Sequence, residues 1–328
     1  MNASGAKHGG ARIIVESYCR WLEENNYDNE YIFIVGFKLI TTSERIKVIN
    51  YSTDGLSSVL FSTIGIAGLC ALYRTNTVIS FMNLNLILPF FNKTTYFHQS
   101  LFFTKKSLKF KIYGILLKLQ KNSTFICQNT DVKEGLSKYL GYHRGLKVFD
   151  AWPGIYIPNS TQKPKWFDDV IDENKTIALC PYSDIRMPYK NFEKLYEAYD
   201  FFKENNIQVI VTSKNYEYDS NDVFSFVGNC KSSEMHYLYQ KVDCVLFVSD
   251  YETVGLPIIE SQYYGVPVIV RNTPFIKNIK NRFPLINFIV CNDLNFNFDV
   301  STLTNIQPKK DDICFIGEWN VVTNNIRK

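Results

Sequence analysis

The stretch DCVLFVSDYETVGLPIIESQYYGVPVIV, residues 243–270, contains two short apolar runs separated by a loop and a helical pattern. The runs CVLFV and VPVIV are continuously apolar, which is typical of parallel strands covered on both faces. Between them, Pro257 suits a first helical turn, where its missing N–H is not needed, and Gly265 suits a helix end. The stretch therefore predicts a strand–helix–strand unit of a parallel sheet.

The same alternation continues on both sides of this stretch. At 328 residues the chain is long for a single core, and IPNSTQKPKW (157–166), with two prolines, indicates a linker. The sequence thus predicts an α/β protein with two doubly wound domains, residues 1–157 and 167–328, joined by a linker at 158–166. Its strand-like runs include YIFIVG (31–36), TVISF (77–81), TTYFH (94–98), TFICQ (124–128), TIALC (176–180) and IQVIVTS (207–213).

The loop and helix start after CVLFV predict an anion site. Ligands of such sheets bind at the carboxyl ends of strands, where free N–H groups of Val254, Gly255 and Leu256 could meet a phosphate. The carboxylates of Glu252 and Glu260 would accept hydrogen bonds from sugar diols on either side. Taken singly, Glu252 could be a solvated loop acid, and Glu260 a first-turn acid that stabilises the helix dipole. Together, the pattern favours a nucleotide diphosphate.

The stretch resembles the Glu-x7-Glu signature of retaining GT-B glycosyltransferases, the large glycosyltransferase family 4. It departs from that pattern at Val254, where Phe is usual, and at Tyr263 and Tyr264, where smaller residues are common. The resemblance implies two Rossmann-like domains facing across a cleft. The first would lie on the acceptor side, and the second would bind a nucleotide sugar.

Three further segments match this family. SDIRMPYKNF (183–192) is similar to the segment whose Arg and Lys contact the donor diphosphate, and HGGAR (8–12) resembles the Gly-Gly loop beside the donor and acceptor pocket. The histidine that ends TTYFH resembles one near the transferred sugar, although it could equally be a satisfied core residue. The resemblance implies catalytic roles for Glu252, His98, Lys190 and Arg186, and donor binding by Glu260, Val254, Gly255, Leu256, Gly9 and Gly10.

The residue types indicate how the leaving diphosphate would be stabilised. Neither an Asp-x-Asp pair nor a His/Cys cluster occurs, so we expect no metal site and no cofactor beyond a UDP- or GDP-linked donor substrate. The charge of the diphosphate would then fall to Arg186, Lys190 and the helix start. Gly-x-Gly-x-x-Gly and Gly-x-Ser-x-Gly are also absent, which argues against a dehydrogenase and a serine hydrolase.

The amino-terminal sequence departs from the family. A central β-strand usually precedes the Gly-Gly loop, whereas only MNASGAKH stands before Gly9. Either the true start lies upstream or the domain lacks its first strand. The second case favours an alternative function, a non-catalytic GT-B protein that binds a nucleotide sugar or a partner transferase.

The charge distribution predicts a membrane surface. No Asp or Glu occurs from Gly55 to Thr130, while Arg74 and seven lysines give +8, and the remainder carries 28 basic and 32 acidic residues, or −4. Within LFFTKKSLKFKIYGILLKLQK (101–121), lysines alternate with apolar residues, which suits anionic lipid. The alternative is a core-packed helix with a basic outer face. A nucleic-acid partner is not favoured, because no binding motif accompanies the patch.

A second apolar segment and the cysteines complete the prediction. GLSSVLFSTIGIAGLCALY (55–73) is uncharged and fits a buried helix better than a membrane span. Eight scattered cysteines and a polar amino terminus without a signal peptide favour a reducing compartment. We expect a cytoplasmic, peripheral inner-membrane hexosyltransferase that extends a polyprenyl-diphosphate-linked saccharide in bacterial O-antigen, capsule, lipopolysaccharide or related polysaccharide synthesis.

Overall fold

The computed structural model describes residues 1–25, 29–99, 102, 107–141, 146–291, 298–303 and 315–325. The chain divides into two compact units. Unit 1 comprises Met1–Tyr156 together with Ile316–Lys328, and unit 2 comprises Ile157–Phe315. The sequence had assigned everything after residue 166 to the second domain, so the assignment of the carboxyl-terminal segment is wrong.

Unit 1 is built on a parallel sheet whose described strands pair in the order β3-β2-β1-β4-β5-β6-β7. The chain order reverses between β1 and β4, which makes that position the switch point of the sheet. The strands are β1 (Asn2–Ala3), β2 (Tyr31–Val35), β3 (Ile46–Asn50), β4 (Thr77–Ser80), β5 (Asn92–Phe97), β6 (Ser123–Cys127) and β7 (Lys147–Asp150).

The central strand expected to be missing is present as β1. Asn2 pairs with Ile34 of β2 and with Ser80 of β4, and the Asn2 carbonyl accepts a hydrogen bond from the Phe81 N–H at 2.8 Å. The strand is two residues long and begins with a buried Asn that bonds Ser62, so it forms no apolar run in the sequence. The expectation of a missing strand is wrong, and the non-catalytic alternative loses the observation that favoured it.

Helices cover both faces of this sheet. On one face, α1 packs Ile14, Val15 and Tyr18 against strand residues that include Tyr96 and Ile126. On the other face, α2 to α5 pack against Phe97 and the neighbouring strand residues. The bounds are α1 (Gly9–Glu24), α2 (Gly55–Leu60), a π-helical turn (Phe61–Gly65), α3 (Ile66–Leu72), α4 (Leu108–Leu119) and α5 (Thr130–Leu140).

The carboxyl-terminal helix α12 (Trp319–Asn324) completes the α1 side of unit 1. The Trp319 ring is fully buried, with its centroid 5.1 Å from that of Tyr18 and 5.4 Å from that of Tyr96. Glu318 closes the junction, because its carboxylate accepts from the Trp152 N–H and its own N–H donates to the Trp152 carbonyl. A large aromatic side chain therefore draws this segment into unit 1.

Unit 2 is built on a second parallel sheet, with its described strands in the order β10-β9-β8-β11-β12-β13. Its chain order reverses between β8 and β11. The strands are β8 (Thr176–Cys180), β9 (Ile207–Val211), β10 (Phe224–Phe226), β11 (Cys244–Phe247), β12 (Val268–Arg271) and β13 (Phe288–Cys291). The helices are α6 (Phe167–Val170), α7 (Phe192–Glu197), α8 (Tyr199–Glu204), α9 (Ser232–Tyr239), α10 (Leu256–Tyr263) and α11 (Pro274–Arg282).

Candidate active site

An ion pair bridges the switch point of the unit 2 sheet. Lys190 lies in the loop that follows β8, Glu252 lies in the loop that follows β11, and their side chains form a salt bridge. Both side chains are mostly buried, with 17% and 21% of their surfaces exposed. Glu252 is therefore not a solvated loop acid, and two of the predicted catalytic residues are in contact.

The ring of Tyr182 packs against the Lys190 side of this ion pair. Its ring centroid lies 4.8 Å from the Lys190 ammonium, and its hydroxyl accepts hydrogen bonds from the Val248 N–H at 2.8 Å and the Ser249 hydroxyl at 3.1 Å. Burial raises the pKa of Tyr182 well above its ordinary value, so the phenol stays neutral. No motif in the sequence points to this residue, although it stands two positions after β8.

Further contacts tie the two loops together. The Asn191 amide donates to the Val248 carbonyl at 2.9 Å, and the Asp250 N–H donates to the Tyr189 carbonyl at 2.8 Å. Asp250 also forms an ion pair with Arg271 at the end of β12. These bonds hold the Lys190 loop and the Glu252 loop against each other at the carboxyl ends of the strands.

The start of α10 presents unpaired backbone donors beside this pair. Gly255 is the N-cap residue, with φ of 67°, in the left-handed region that favours glycine. In the described part of the chain, the N–H groups of Val254, Gly255 and Leu256 donate to no acceptor. The helix start is therefore able to bind an anion, as the sequence predicted.

Glu260 differs from the sequence-based expectation. Helix α10 begins at Leu256, so Glu260 is not an acid of the first turn, and with 5% of its surface exposed it is not solvated. Its Oε2 accepts a hydrogen bond from the Tyr239 hydroxyl at 3.1 Å, and Oε1 accepts none from a described residue. Burial raises the pKa of Glu260 to about 7, and the Tyr239 hydrogen bond opposes this shift. The carboxyl group can thus exchange a proton near neutral pH.

Arg186 pairs with an acid of its own loop. Its guanidinium forms two hydrogen bonds with the Asp184 carboxylate, at 3.0 and 2.8 Å, and lies over the Tyr216 ring at 4.2 Å. The side chain is 58% exposed. No described contact joins Arg186 to Lys190 or Glu252, and its role at the diphosphate stays a prediction.

The unit 1 candidates lie at the carboxyl ends of its strands. Gly9 and Gly10 begin α1, where His8 is the N-cap residue and no side chain caps the helix. His98 follows β5, and its backbone N–H donates to the side-chain Oδ1 of Asn83 at 2.7 Å, while Nδ2 of the same Asn83 side chain lies 3.3 Å from the His98 Nε2. Burial lowers the pKa of His98 to about 4, partly offset by the Tyr96 backbone carbonyl, so the imidazole is neutral.

The basic segment is described only in part. Lys105 and Lys106 lie outside the described residues, as does the side chain of Lys109. Lys111, Lys118 and Lys121 are exposed on or just after α4. Within the described ranges, no group of three or more His, Cys, Asp or Glu side chains could hold a metal ion.

Comparison with known structures defines the fold. The chain superposes on WaaG, a glycosyltransferase involved in lipopolysaccharide biosynthesis, with a TM-score of 0.63 at 13% identity, over 90% of this chain and 87% of that one. HepE from Anabaena, in complex with UDP-glucose, gives 0.62 at 11% identity, over 89% and 85%. Sucrose-phosphate synthase from Thermosynechococcus elongatus gives 0.59 at 16% identity, over 90% and 84%. The protein has the α/β two-domain GT-B fold, and the predicted fold class is confirmed.

A family match falls on the candidate site. Residues 167–283 match the family described as Glycosyl transferases group 1, and this range contains every unit 2 candidate from Arg186 to Glu260. The match indicates a glycosyltransferase. A search of curated proteins found no match to the chain.

Proposed function

We propose that the protein is a retaining hexosyltransferase of family 4 that transfers a sugar from a nucleotide-diphosphate donor to a saccharide acceptor. The observation that carries this proposal is the Lys190–Glu252 ion pair at the switch point, beside the unpaired N–H groups that begin α10. Cation, carboxylate and helix start lie within the range that matches glycosyl transferases. The donor would bind at this end of the unit 2 sheet.

Donor binding would exchange the partner of Lys190. In the ion pair, Glu252 neutralises the only charge that Lys190 can offer to a phosphate. A diphosphate at the start of α10 would bring more negative charge to the ammonium than one carboxylate does. Glu252 would then be released towards the transferred sugar, where its oxygens can accept hydroxyl hydrogen bonds. This exchange would direct the Lys190 charge to the phosphates and free the Glu252 carboxylate for the sugar.

Glu260 would bind the ribose of the donor. Oε2 is held by Tyr239, which leaves Oε1 to accept from a ribose hydroxyl. Burial favours the protonated form, so a diol that donates hydrogen bonds would favour the carboxylate and lower the pKa of the group. Nucleotide binding would therefore release a proton at pH below about 7.

Lys190 and the start of α10 would stabilise the leaving diphosphate without a bound metal. Preorganised donors aimed at a developing charge contribute about 3–4 kcal/mol each. The acceptor would attack on the face that the diphosphate leaves, and a phosphate oxygen would take the acceptor proton. Full activity in the presence of EDTA is the expected result.

Unit 1 would bind the anionic lipids at the inner face of the cell membrane, where a polyprenyl-diphosphate-linked acceptor is available. In α4, Leu108, Ile112, Ile115 and Leu119 form an exposed stripe, with Lys111 beside it. The residues that α2 and α4 turn inward share one core cluster, so both helices lie on the same face of the sheet. Apolar stems with ammonium groups beside them suit the lipid interface.

A second exposed stripe supports this proposal. Among the described residues, one helical stretch, Gly55–Leu72, is long and apolar enough to cross a membrane by length and composition alone, and 22% of it is buried. Leu56, Leu60, Ile64 and Leu72 lie along its outer side and are exposed. The stretch is therefore not the buried helix that the sequence favoured. Only its inner side, with Ile66 and Cys70, packs in the core.

Calorimetry with UDP and GDP tests the donor site. One of the two should bind the wild type, and a ligand at 100 times its Kd should stabilise the fold by about 2.7 kcal/mol. Binding should be lost in Glu260→Ala and retained in Glu204→Ala, which removes an exposed acid at the end of α8 in the same unit. A folded wild type that binds neither diphosphate would contradict the proposed donor site.

Co-sedimentation with phosphatidylglycerol vesicles tests the membrane proposal. Leu60→Ser with Ile64→Ser should reduce binding at low salt, whereas Leu285→Ser, which changes an exposed leucine of unit 2, should leave it unchanged. Raising the salt concentration should weaken wild-type binding through the lysines. Wild-type protein that stays in the supernatant at low salt would refute membrane binding without affecting the donor site.

A further inference from the structure

The ammonium group of Lys190 is surrounded by aromatic rings. Its Nζ atom lies 4.8 Å from the ring centroid of Tyr182, 5.4 Å from that of Tyr189 and 5.5 Å from that of Phe247. A cation within about 6 Å of a ring centroid is attracted by the negative face of the ring, and several rings around one ammonium form an aromatic cage. These three rings therefore form a cage for the mostly buried Lys190 side chain.

The cage is built at the switch point of the unit 2 sheet. Tyr182 follows β8 and Phe247 ends β11, the neighbouring strand. Both side chains are buried, at 1% and 2% exposure, and their ring centroids lie 5.6 Å apart with the planes inclined at 60°. Tyr189 is half-buried, and its carbonyl accepts from the Asp250 N–H. Two walls are thus fixed by the core of unit 2, and the third by the loop after β11.

Phe247 connects the cage to the start of α10. A Cβ atom added to Gly255 would lie 3.6 Å from Cε1 of the Phe247 ring, so this ring packs directly against the N-cap residue of the helix. The same ring lies over the Lys190 ammonium. One side chain thereby places the ammonium beside the unpaired N–H groups that begin α10, where an anion would meet both.

The aromatic walls leave N–H groups of Lys190 available. In the described part of the chain, Nζ donates one hydrogen bond, to Glu252, of the three that an ammonium can make. The Tyr182 hydroxyl does not compete for it, because it accepts from the Val248 N–H and the Ser249 hydroxyl. A ring face attracts the positive charge without taking up an N–H group as a carboxylate does. The cage consequently holds the cation and keeps donors for an incoming phosphate.

We propose that Tyr182, Tyr189 and Phe247 are positioning residues that aim the Lys190 ammonium at the donor diphosphate and hold it there while the phosphates replace Glu252. This inference rests on the proposed function, in which Lys190 binds the diphosphate, and adds the side chains that act through it. In the free protein, the rings and Glu252 share the ammonium. Once Glu252 is released, the rings are the protein groups that hold it, so they contribute more to the donor complex than to the free protein.

A double-mutant cycle between Phe247 and Lys190 tests the cage. Calorimetry measures the affinities for UDP and GDP of the wild type, Phe247→Leu, Lys190→Met and the double variant. Phe247→Leu should weaken diphosphate binding about fivefold in the wild-type background. In the Lys190→Met background it should have no effect, because the ring then has no cation to position. Equal losses in both backgrounds would overturn the cage, since Phe247 would then only support the fold.

A fluorinated ring tests the same contact without changing the packing of the core. Fluorine atoms withdraw electron density from the ring face, so 3,4,5-trifluorophenylalanine in place of Phe247 should weaken diphosphate binding about two- to threefold. The same replacement of Phe224, a fully buried ring of β10, should leave the affinity unchanged. Equal affinities for the two fluorinated proteins would overturn the electrostatic role of the ring.

Failure of the cage can be distinguished from failure of the donor site. A wild type that binds UDP or GDP through Glu260, with an affinity that fluorination at Phe247 does not change, would refute the cage and leave the donor site intact. A folded wild type that binds neither diphosphate would refute both.

Discussion

The carboxyl edges of the two sheets are built from different chemistry. In unit 2, the edge carries charges held against one another, Lys190 with Glu252 and Asp250 with Arg271. In unit 1, the edge carries the neutral imidazole of His98 and the neutral amides of Asn83 and Gln128. A charged edge can exchange an internal partner for a phosphate, whereas the neutral side chains of the unit 1 edge offer no charge to one. Under the proposed function, the charged edge of unit 2 would bind the phosphates of the donor.

Buried titratable groups sharpen the contrast. Burial raises the pKa of Glu260 in unit 2 and lowers the pKa of His98 in unit 1, since in both cases the charged form is disfavoured. An acid and a base that are both held neutral respond to pH in opposite directions. The two units should therefore lose stability at opposite ends of the pH range.

The largest effect is expected for Lys190→Ala. This variant removes the preorganised cation and leaves Glu252 mostly buried without its partner, so the transfer rate should fall by about 10²- to 10³-fold. Lys203 lies on α8 and forms an exposed ion pair with Asp222. Lys203→Ala removes this pair and should keep the wild-type rate. Steady-state kinetics with a nucleotide-sugar donor make the measurement. Equal rates for the two variants would show that Lys190 does not serve the diphosphate.

Glu260→Gln tests the pH response of unit 2. The pKa of Glu260 is about 7 in the folded protein against an ordinary value of 4.5, so the folded state binds the extra proton between these values. Stability from this group is complete below pH 4.5 and is lost as pH rises through 7, by about 3 kcal/mol. The variant should match the wild type at pH 4 and exceed it at pH 8.

Hydrogen exchange followed by mass spectrometry makes this measurement, because it reports the opening free energy of each unit separately. Unit 1 peptides provide the internal control and should not respond to the Glu260 substitution. A wild-type unit 2 whose stability is constant from pH 5 to pH 8 would show that Glu260 is ionised in the folded protein.

His98→Asn tests the opposite response in unit 1. The pKa of His98 is about 4 in the folded protein against an ordinary 6.5, so the unfolded state binds more protons between these values. Stability from the neutral ring is complete above pH 6.5 and is lost as pH falls through 4, by at most about 3 kcal/mol. The variant should abolish this slope in unit 1 peptides. A slope that persists in the variant belongs to another group.

The smallest effects are expected at two glycines, with opposite signs. Gly255→Ala should destabilise unit 2 by about 1–2 kcal/mol, because φ is 67° and the new Cβ would lie 3.0 Å from the Ile258 Cδ1. Gly68→Ala, in the exposed side of α3 with nothing within 4 Å, should stabilise unit 1 by about 0.5–1 kcal/mol. Urea unfolding measures both. A neutral Gly255→Ala would show that the N-cap can relax out of the left-handed region.

The elements that the sequence predicted correctly are those with local signals. Buried parallel strands form continuous apolar runs, and the start of α10 is encoded within a few residues by Gly255 and Pro257. Strand β1 carries no such signal, because a two-residue strand beginning with Asn shows neither length nor hydrophobicity. Its place in the sheet depends on partners that lie more than 30 residues away.

The site itself was predictable only where charge or a family motif pointed to it. Lys190 and Glu252 lie 62 positions apart, and only the fold of the sheet shows that they pair with each other. Tyr182 and Tyr239 have no distinguishing pattern in a chain with 21 tyrosines, although each positions a polar group of the site. The burial of Glu260, which raises its pKa to about 7, was not predicted, because burial of a helix face cannot be read from one carboxylate.

Helix α12 has a consequence for the synthesis of the chain. Trp319 fills the core between α1 and the unit 1 sheet, yet the whole of unit 2 is translated before it. While residues 157–315 are being translated, the position that the Trp319 indole occupies in the unit 1 core is still unfilled. Unit 2 can reach its final structure first, although it is encoded second. Unit 1, with its exposed apolar helices, stays incomplete until the last turns of the chain emerge.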